Sequence, residues 1–144
     1  MASPINVGYA FRIAPDTQAE IRAVDPRIEL VDLSALGGRG PLDGAARADV
    51  LSRIARVEVM LGTNQVPTEY FDAATNLRWF QVINAGVEGM HARGLLSRGF
   101  TVTTGAGIAS GPIAEHSIGL MIMLARSLHT AVANQQSAKW DFVF

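Results

Sequence analysis

The sequence predicts an α/β fold in which helices flank a parallel sheet of five strands. Five short apolar runs have the composition of β-strands, and they start 21 to 29 residues apart, which leaves room for one helix between neighbours. This regular alternation is typical of βαβ units with right-handed crossovers. The predicted strands cover residues 5–11, 28–33, 57–61, 79–83 and 100–104.

Length and composition limit the possible classes. The 144 residues are 49% hydrophobic and 17% charged, which suits one globular domain with its own core. A net charge of −1 attracts neither nucleic acid nor anionic lipid, so neither is expected as a partner. Because these residues include no cysteine, they offer no disulfide, thiolate nucleophile or zinc–thiolate site.

The location predicted from the sequence is cytoplasmic. The first residues, MASPINVGYAFRIAPD, lack the basic start and unbroken apolar stretch of a signal peptide. The longest apolar run, residues 118–125, is far shorter than the roughly 20 residues that a membrane span requires. We therefore expect no membrane partner.

The segments between the predicted strands have helix signals. In the first, Asp16 is the expected N-cap, Ile21 and Val24 form an apolar side, and Pro26 ends the helix. The next helix is predicted over residues 45–56, after a flexible surface loop at residues 37–41. The apolar face of this helix consists of Val50, Leu51, Ile54 and Ala55. A third, short helix is expected to begin at Pro67 and Thr68 and to carry Tyr70 and Phe71.

No sixth strand follows the fifth. Instead Gly111 and Pro112 open a long helix, predicted to reach about Leu128, that is apolar over much of its circumference. Such a helix must be covered on more than one side, so we expect a partner subunit or a further domain against it. The final aromatics, Trp140, Phe142 and Phe144, are typical of a chain interrupted within a larger fold.

The turn after the fourth strand is the first candidate site. Asn84, Ala85, Gly86 and Val87 follow a predicted strand at the sheet edge where α/β proteins bind ligands. Successive backbone N–H groups in such a turn form a nest for an anion such as a carboxylate, and a glycine lets a ligand approach the main chain. The alternative is an ordinary βα turn.

The neighbouring third strand supplies a second candidate. Leu61, Gly62 and Thr63, at its end, could form the other wall of the same crevice. The alternative is again an ordinary βα turn, with Asn64 capping the next helix.

A glycine-rich loop at residues 105–111, GAGIASG, follows a strand and precedes a helix. A dinucleotide loop requires the spacing G-x-G-x-x-G and an acidic residue about 20 positions later. Here the second gap is one residue too long, and no strand ending in Asp or Glu follows. We interpret the loop as a hinge or crossover.

The remaining polar residues offer no catalytic constellation. His91 lies in a polar helical turn and His129 at a helix end, while Glu115 and His116 are expected in the first turn of the long helix. No Ser/His/acid trio, carboxylate pair or metal-ligand spacing is found. The residues by themselves indicate no catalytic or metal site in this chain.

Two motifs in combination resemble the D-isomer-specific 2-hydroxyacid dehydrogenases. The first is LRWFQVINAGVEGM, with A-G-V-E directly after a strand, and the second is GFTVTTGAGIASGPIAEHSIGLMIMLAR, with I-A-E-H opening an apolar helix. A tryptophan, Trp140, follows about a dozen residues later. The strong resemblance covers residues 77–140, and the earlier strands agree in order and spacing with that family's flavodoxin-like substrate domain.

The resemblance implies an NAD(P)-dependent oxidoreductase that interconverts small 2-oxo acids, such as glyoxylate or hydroxypyruvate, and D-2-hydroxy acids. In that family the turn matching Ala85, Gly86 and Val87 binds the substrate carboxylate through N–H groups. The loop matching Leu61, Gly62 and Thr63 lies across the cleft.

The resemblance also divides the chain. Residues 1–104 match a substrate-binding domain, and residues 105–144 match the crossover loop and first helices of a cofactor domain. Glu115 and His116 then belong to a hinge near the cofactor, and the helix at residues 111–129 to a homodimer interface. Where many members have Asn or His, this chain has Ala109, so any side-chain hydrogen bond there is missing.

The family's cofactor loop and its catalytic arginine, glutamate and histidine match no residue of this chain. We therefore expect NAD or NADP to serve the complete enzyme, and this chain alone to bind no cofactor and to transfer no hydride. The alternative to an enzyme is a non-catalytic interaction or dimerisation module derived from the same family.

Overall fold

The computed structural model describes residues 2–38 and 41–141, which form two compact units. The first unit ends at Ala106 and holds the sheet, and the second begins at Gly107 and is helical. Each is described by itself. The division into a substrate domain and a cofactor domain stays a prediction.

The first unit contains the predicted five-stranded parallel sheet, with the strand order β2-β1-β3-β4-β5. This confirms the predicted α/β fold. In the register of the central strands, Val59 pairs with both Val7 and Trp79, and Trp79 pairs with Thr101. The strands are β1 Ile5–Tyr9, β2 Ile28–Asp32, β3 Val59–Gly62, β4 Trp79–Val82 and β5 Thr101–Thr104.

Four helices connect these strands. Two single turns of 3-10 helix, Ser34–Gly37 and Leu95–Ser97, lie in the connections as well. The predicted flexible loop at residues 37–41 therefore begins inside a helical turn, while Arg39 and Gly40 lie outside the described residues. The helices are α1 Pro15–Val24, α2 Gly44–Ile54, α3 Thr68–Ala73 and α4 Glu88–Ala92.

Helix α1 differs from the prediction in two details. Its N-cap is the extended Ala14, with Pro15 at the start and Asp16 inside the first turn, so the predicted Asp16 cap is wrong. Proline fits there because the first helical N–H has no intrahelical partner. No residue of α1 is buried and Val24 is 81% exposed, so Val24 forms no core-facing side.

Helices α2 and α3 pack as the sequence predicts. The Asp43 carboxylate caps α2 by accepting the Ala46 N–H at 3.2 Å, and Val50 and Ile54 are buried. In α3, Tyr70 and Phe71 are both buried. The ring of Phe71 meets Phe80 edge to face, with centroids 5.0 Å apart. These contacts fix the two helices on one face of the sheet.

Strand β4 separates buried from exposed side chains. Phe80 and Val82 are fully buried, whereas Trp79 is 41% exposed. Alternate residues of a strand point to opposite faces, so Phe80 faces the core while Trp79 faces away from it. On that second face the indole N–H of Trp79 donates to Oγ1 of Thr103 at 2.7 Å.

The second unit contains two helices, α5 Ser110–Ala125 and α6 Leu128–Gln136. The predicted single helix over residues 111–129 is therefore wrong in its extent. The Arg126 N–H still donates to Ile122, but Ser127 takes a left-handed conformation with φ of 50° and precedes a new helix. No glycine or proline marks this break in the sequence.

Nearly all of α5 is exposed, as is Trp140. Phe142 and Phe144, of the predicted aromatic end, lie outside the described residues. In the described part of the chain, no helix has the length and apolar character needed to cross a membrane.

Candidate functional site

The two candidate turns lie side by side at the carboxyl edge of the sheet. Strands β3 and β4 are parallel neighbours, and Gly62 pairs with Val82 at their ends. The Ile83 N–H then donates to the Gly62 carbonyl at 2.9 Å, which continues the pairing by one residue. The chain segments that follow Gly62 and Ile83 therefore leave the sheet at the same level.

The turn over Asn84, Ala85, Gly86 and Val87 presents unused hydrogen-bond donors. Within the described ranges, none of the four backbone N–H groups donates a hydrogen bond. Asn84 and Ala85 are exposed, and Gly86 and Val87 are half-buried. Four successive free donors at a sheet edge can bind an acceptor such as a carboxylate.

Two carbonyl groups of the same turn accept hydrogen bonds from residues outside it. The Asn84 carbonyl accepts the Gly105 N–H at 3.0 Å, and the Gly86 carbonyl accepts Nδ2 of Asn64 at 3.4 Å. In a trans peptide the C=O and the following N–H point in opposite directions. The N–H groups of Ala85 and Val87 therefore point away from the partners that hold these carbonyls.

Gly86 lies against the Glu88 side chain. Its φ lies outside the left-handed region, so the backbone itself does not require glycine. A Cβ at this position would instead meet the Glu88 carboxylate, which is the mobile end of an exposed side chain. Any anion in the turn thus has one negatively charged neighbour.

The three predicted residues of the second turn have different roles. The Leu61 carbonyl accepts the Ala10 N–H at 2.8 Å, and Gly62 is buried with no room for a side chain. The half-buried Thr63 turns its hydroxyl oxygen towards the Gln65 N–H at 3.2 Å. Of the three, Thr63 alone carries a polar side chain at this edge.

Asn64 connects the two turns. It caps no helix, because α3 begins at Thr68 with Pro67 at the N-cap position, so the predicted Asn64 cap is wrong. Its N–H donates to Oδ1 of Asn84 at 3.0 Å and its Nδ2 to the Gly86 carbonyl. The two predicted walls therefore form one hydrogen-bonded unit.

Arg93 is a residue that the sequence analysis missed. Its guanidinium donates to the carbonyls of Asn64, of Val66 at 2.7 Å and of Gly89 at 2.9 Å, and so joins the loop after β3 to α4. In the portion of the chain with described coordinates it forms no ion pair. Its acceptors are main-chain atoms up to 29 residues away, so no sequence signal identifies it.

The predicted hinge residues belong to the second unit. Ala109 directly precedes α5, and Glu115 and His116 are exposed in its second turn rather than in its first. His129 is the second residue of α6 and does not end a helix, which corrects its predicted position. No group of three His, Asp or Glu among residues 2–38 and 41–141 could hold a metal ion.

A separate recess of about 550 Å³ opens at the carboxyl ends of β1, β2 and β3. It is lined mainly by apolar and aromatic groups, and Glu69 at its rim is paired with Arg47 at 2.9 Å. Thr63 is its only residue in common with the predicted site. Among its other lining residues are Phe11, Leu36, Leu42, Pro67 and Tyr70.

The parallel sheet has the strand order 2-1-3-4-5, which defines the flavodoxin-like class of α/β proteins. No family model matches the chain. Solved structures with a similar fold were found.

The chain is similar to a D-isomer specific 2-hydroxyacid dehydrogenase family protein from Aeromonas salmonicida, with a TM-score of 0.72 and 17% identity over 96% of this chain and 41% of that one. It is similar to the NADPH-dependent glyoxylate/hydroxypyruvate reductase of Sinorhizobium meliloti, solved with NADP and malonate, with a TM-score of 0.65 and 20% identity over 96% of this chain and 40% of that one.

Among curated proteins, D-3-phosphoglycerate dehydrogenase of Archaeoglobus fulgidus is 27% identical over 100 residues, which are 68% of this chain and 19% of that protein. The resemblance predicted from the sequence is thus confirmed: the chain has the fold found in D-isomer-specific 2-hydroxyacid dehydrogenases. It spans about two fifths of the length of the solved structures and a fifth of the curated relative.

Proposed function

We propose that this chain is the substrate-binding portion of an NAD(P)-dependent oxidoreductase that interconverts 2-oxo acids and D-2-hydroxy acids. The observation that carries the proposal is the run of four free N–H groups from Asn84 to Val87 at the carboxyl end of β4. A fold shared with dehydrogenases of 2-hydroxy acids supports it.

The chemistry of the substrate fits these donors. A 2-oxo acid carries a carboxylate, and hydrogen bonds from backbone N–H groups to an ionised acceptor are about twice as strong as neutral ones. Ala85, Gly86 and Val87 bind the carboxylate through their backbone N–H groups. Leu61, Gly62 and Thr63 form the facing loop, in which the Thr63 hydroxyl can contact the oxo or hydroxy group.

The cofactor is bound elsewhere in the complete enzyme. NAD or NADP supplies the hydride there, while residues 1–104 bind the acid and residues 105–144 begin the cofactor domain. The spacing of glycines in residues 105–111 is wrong for a dinucleotide loop, and α5 already begins within this segment, at Ser110. Ala109, Glu115 and His116 act as hinge residues near the cofactor, and this chain alone binds no nucleotide.

Titration of the ¹⁵N-labelled chain, followed by NMR, tests this function. Glyoxylate, pyruvate and hydroxypyruvate are added separately, and then NADH and NADPH. We expect the amide signals of residues 84–87 to shift with an oxo acid and no signal to shift with the nucleotides. Absence of oxo-acid shifts contradicts the substrate role, and NADH shifts at residues 105–111 contradict the division of the chain.

A matched pair of variants localises the binding. Gly86→Leu fills the side from which the ligand approaches and should abolish the shifts. Gly89→Leu adds the same side chain two residues after Val87, where a Cβ meets nothing within 4 Å, and should retain them. Equal behaviour of the two variants would place the ligand outside this turn.

A second candidate function is a non-catalytic interaction or dimerisation module. The exposed apolar side chains of α5 favour it, since Ile113, Met121 and Leu124 are each more than 60% exposed. The same surface serves the enzyme as a homodimer interface within residues 111–129. A cytoplasmic location is part of both proposals.

A further inference from the structure

We propose that Asn64 is a positioning residue, which orients the Val87 N–H towards the substrate carboxylate, and that Arg93 holds Asn64 in place. This inference rests on the function proposed above. Neither side chain touches the substrate. Both act through the peptide group that joins Gly86 to Val87.

The orientation of this peptide depends on a hydrogen bond from outside the turn. Gly86 has no Cβ, so rotation about its backbone bonds meets little steric resistance. The Gly86 carbonyl accepts Nδ2 of Asn64, and the trans geometry then directs the Val87 N–H to the opposite side. Without this hydrogen bond the peptide is free to rotate, and the N–H is no longer held towards the ligand.

Asn64 is suited to this role because all its polar groups but one acceptor are engaged. Its N–H donates to Oδ1 of Asn84, its carbonyl accepts from Arg93, and its amide Nδ2 donates to Gly86. The residue therefore joins both ends of the turn to the loop after β3. A side chain with no N–H or O–H donor, such as that of alanine, cannot donate to the Gly86 carbonyl.

Arg93 fixes the main chain of that loop. Its guanidinium reaches the carbonyls of Asn64 and Val66 on one side and of Gly89 in α4 on the other. Three carbonyls in different directions match the fixed fork of a guanidinium, whereas the single ammonium of lysine matches them poorly. Arg93 thus makes the position of Asn64 depend on α4, which directly follows the turn.

The test compares Asn64→Ala with Asn76→Ala. Asn76 also donates its Nδ2 to a main-chain carbonyl, that of Ala55 at 2.7 Å, but it precedes β4, whereas the turn follows the other end of that strand. Both variants lose one hydrogen bond of the same type. A purely structural role of Asn64 therefore predicts similar losses of thermal stability and no difference in ligand binding.

Two readouts are measured for each protein. The first is the residual dipolar coupling of the Val87 N–H without ligand, which reports the orientation of this bond. The second is the Kd for glyoxylate from NMR titration. We expect the coupling to change in Asn64→Ala alone, and its Kd to rise about tenfold, or about 1.4 kcal/mol, with Asn76→Ala unchanged.

An unchanged Val87 coupling in Asn64→Ala, or an equal rise of Kd in both variants, overturns the positioning role. If the unmodified chain binds no glyoxylate while the coupling changes in Asn64→Ala alone, the proposed function fails and the orienting role stands. If Asn64→Ala does not fold, Arg93→Lys is measured in its place. This variant keeps the positive charge, and we expect its Kd for glyoxylate to rise about threefold.

Discussion

Phe80 occupies the space that a side chain at Gly62 would need. A Cβ built on Gly62 would lie 2.7 Å from Cε2 of Phe80, and Phe80 is fully buried on the neighbouring strand. The glycine at the end of β3 is thus required by packing of the core beneath the candidate site.

Replacement of Gly62 by alanine should therefore destabilise the domain. The added methyl group displaces a buried aromatic ring, and such overpacking typically costs about 1–3 kcal/mol. Urea denaturation followed by far-UV circular dichroism measures the change in unfolding free energy. Gly89→Ala is the control, because its Cβ has open space and alanine favours helix α4. Equal stability of Gly62→Ala and the parent chain contradicts the packing role.

The packing of Gly62 against Phe80 could not be predicted from the sequence. The strand ending at residue 61 and the following turn were predictable from local patterns of apolar and small residues. The contact between Gly62 and Phe80 depends on the register of β3 and β4, which local patterns do not define. For the same reason the sequence could not separate a glycine packed against the core, such as Gly62, from one beside an exposed side chain, such as Gly86.

The connection between the two turns was equally hidden. Apart from Gly89, four residues before Arg93, the partners of Asn64 and Arg93 lie 20 to 29 residues away, and most of them are main-chain carbonyls, which every residue has. The break at Ser127 has a related cause. Serine is common at helix N-caps, but the apolar pattern continues on both sides of Ser127 and therefore predicted an unbroken helix.

The two faces of strand β4 predict losses of stability of different size for two adjacent aromatic residues. Phe80→Ala should lower the unfolding free energy by about 3–5 kcal/mol, because it leaves a cavity in the core. Trp79→Phe keeps an aromatic ring on the exposed face and loses the hydrogen bond to Thr103, so we expect a loss of about 0.5–1.5 kcal/mol. Denaturation curves of both variants provide the comparison. Similar losses would show that the two faces of the strand are not packed differently.

The turn before β2 should have an abnormally acidic carboxyl group. The guanidinium of Arg27 bonds to the Asp25 carboxylate at 2.7 Å, and the Arg27 backbone N–H does so at 2.8 Å, which lowers the pKa of Asp25 from 3.8 to about 2. NMR titration of the Asp25 carboxyl carbon measures this pKa. In Arg27→Met, which lacks the guanidinium, it should return most of the way to 3.8.

The sign of the pH dependence follows from the lowered value. Because the folded chain holds the ionised form of Asp25, the ion pair adds stability above pH 3.8, and this contribution disappears as the pH falls through about 2. Both side chains are solvent-accessible, so added salt should weaken the effect. A pKa near 3.8 in the unmodified chain, or no change in Arg27→Met, contradicts the role given to this ion pair.

Helix α5 should mediate association of two copies of the chain. Its exposed apolar side chains cover about 200° of the helix at 100° per residue, and Glu115 and His116 lie outside this arc. A helix with so wide an apolar surface is stable in water when another surface covers it. A charge in the middle of the arc should therefore disfavour the dimer. The apolar residues are Ile113, Ile118, Leu120, Met121, Ile122 and Leu124.

Met121→Asp tests this interface, and sedimentation equilibrium measures its effect. We expect the dimer dissociation constant to rise at least about tenfold, since an unpaired carboxylate must be desolvated on association. Gln135→Asp adds the same charge at an exposed polar position of α6 and should leave association unchanged. A parent chain that stays monomeric at concentrations of about 0.1 mM, which corresponds to an association free energy weaker than about −5.5 kcal/mol, refutes the dimer proposed for residues 111–129. The proposed oxo-acid site, whose residues all lie in the first unit, does not depend on this result.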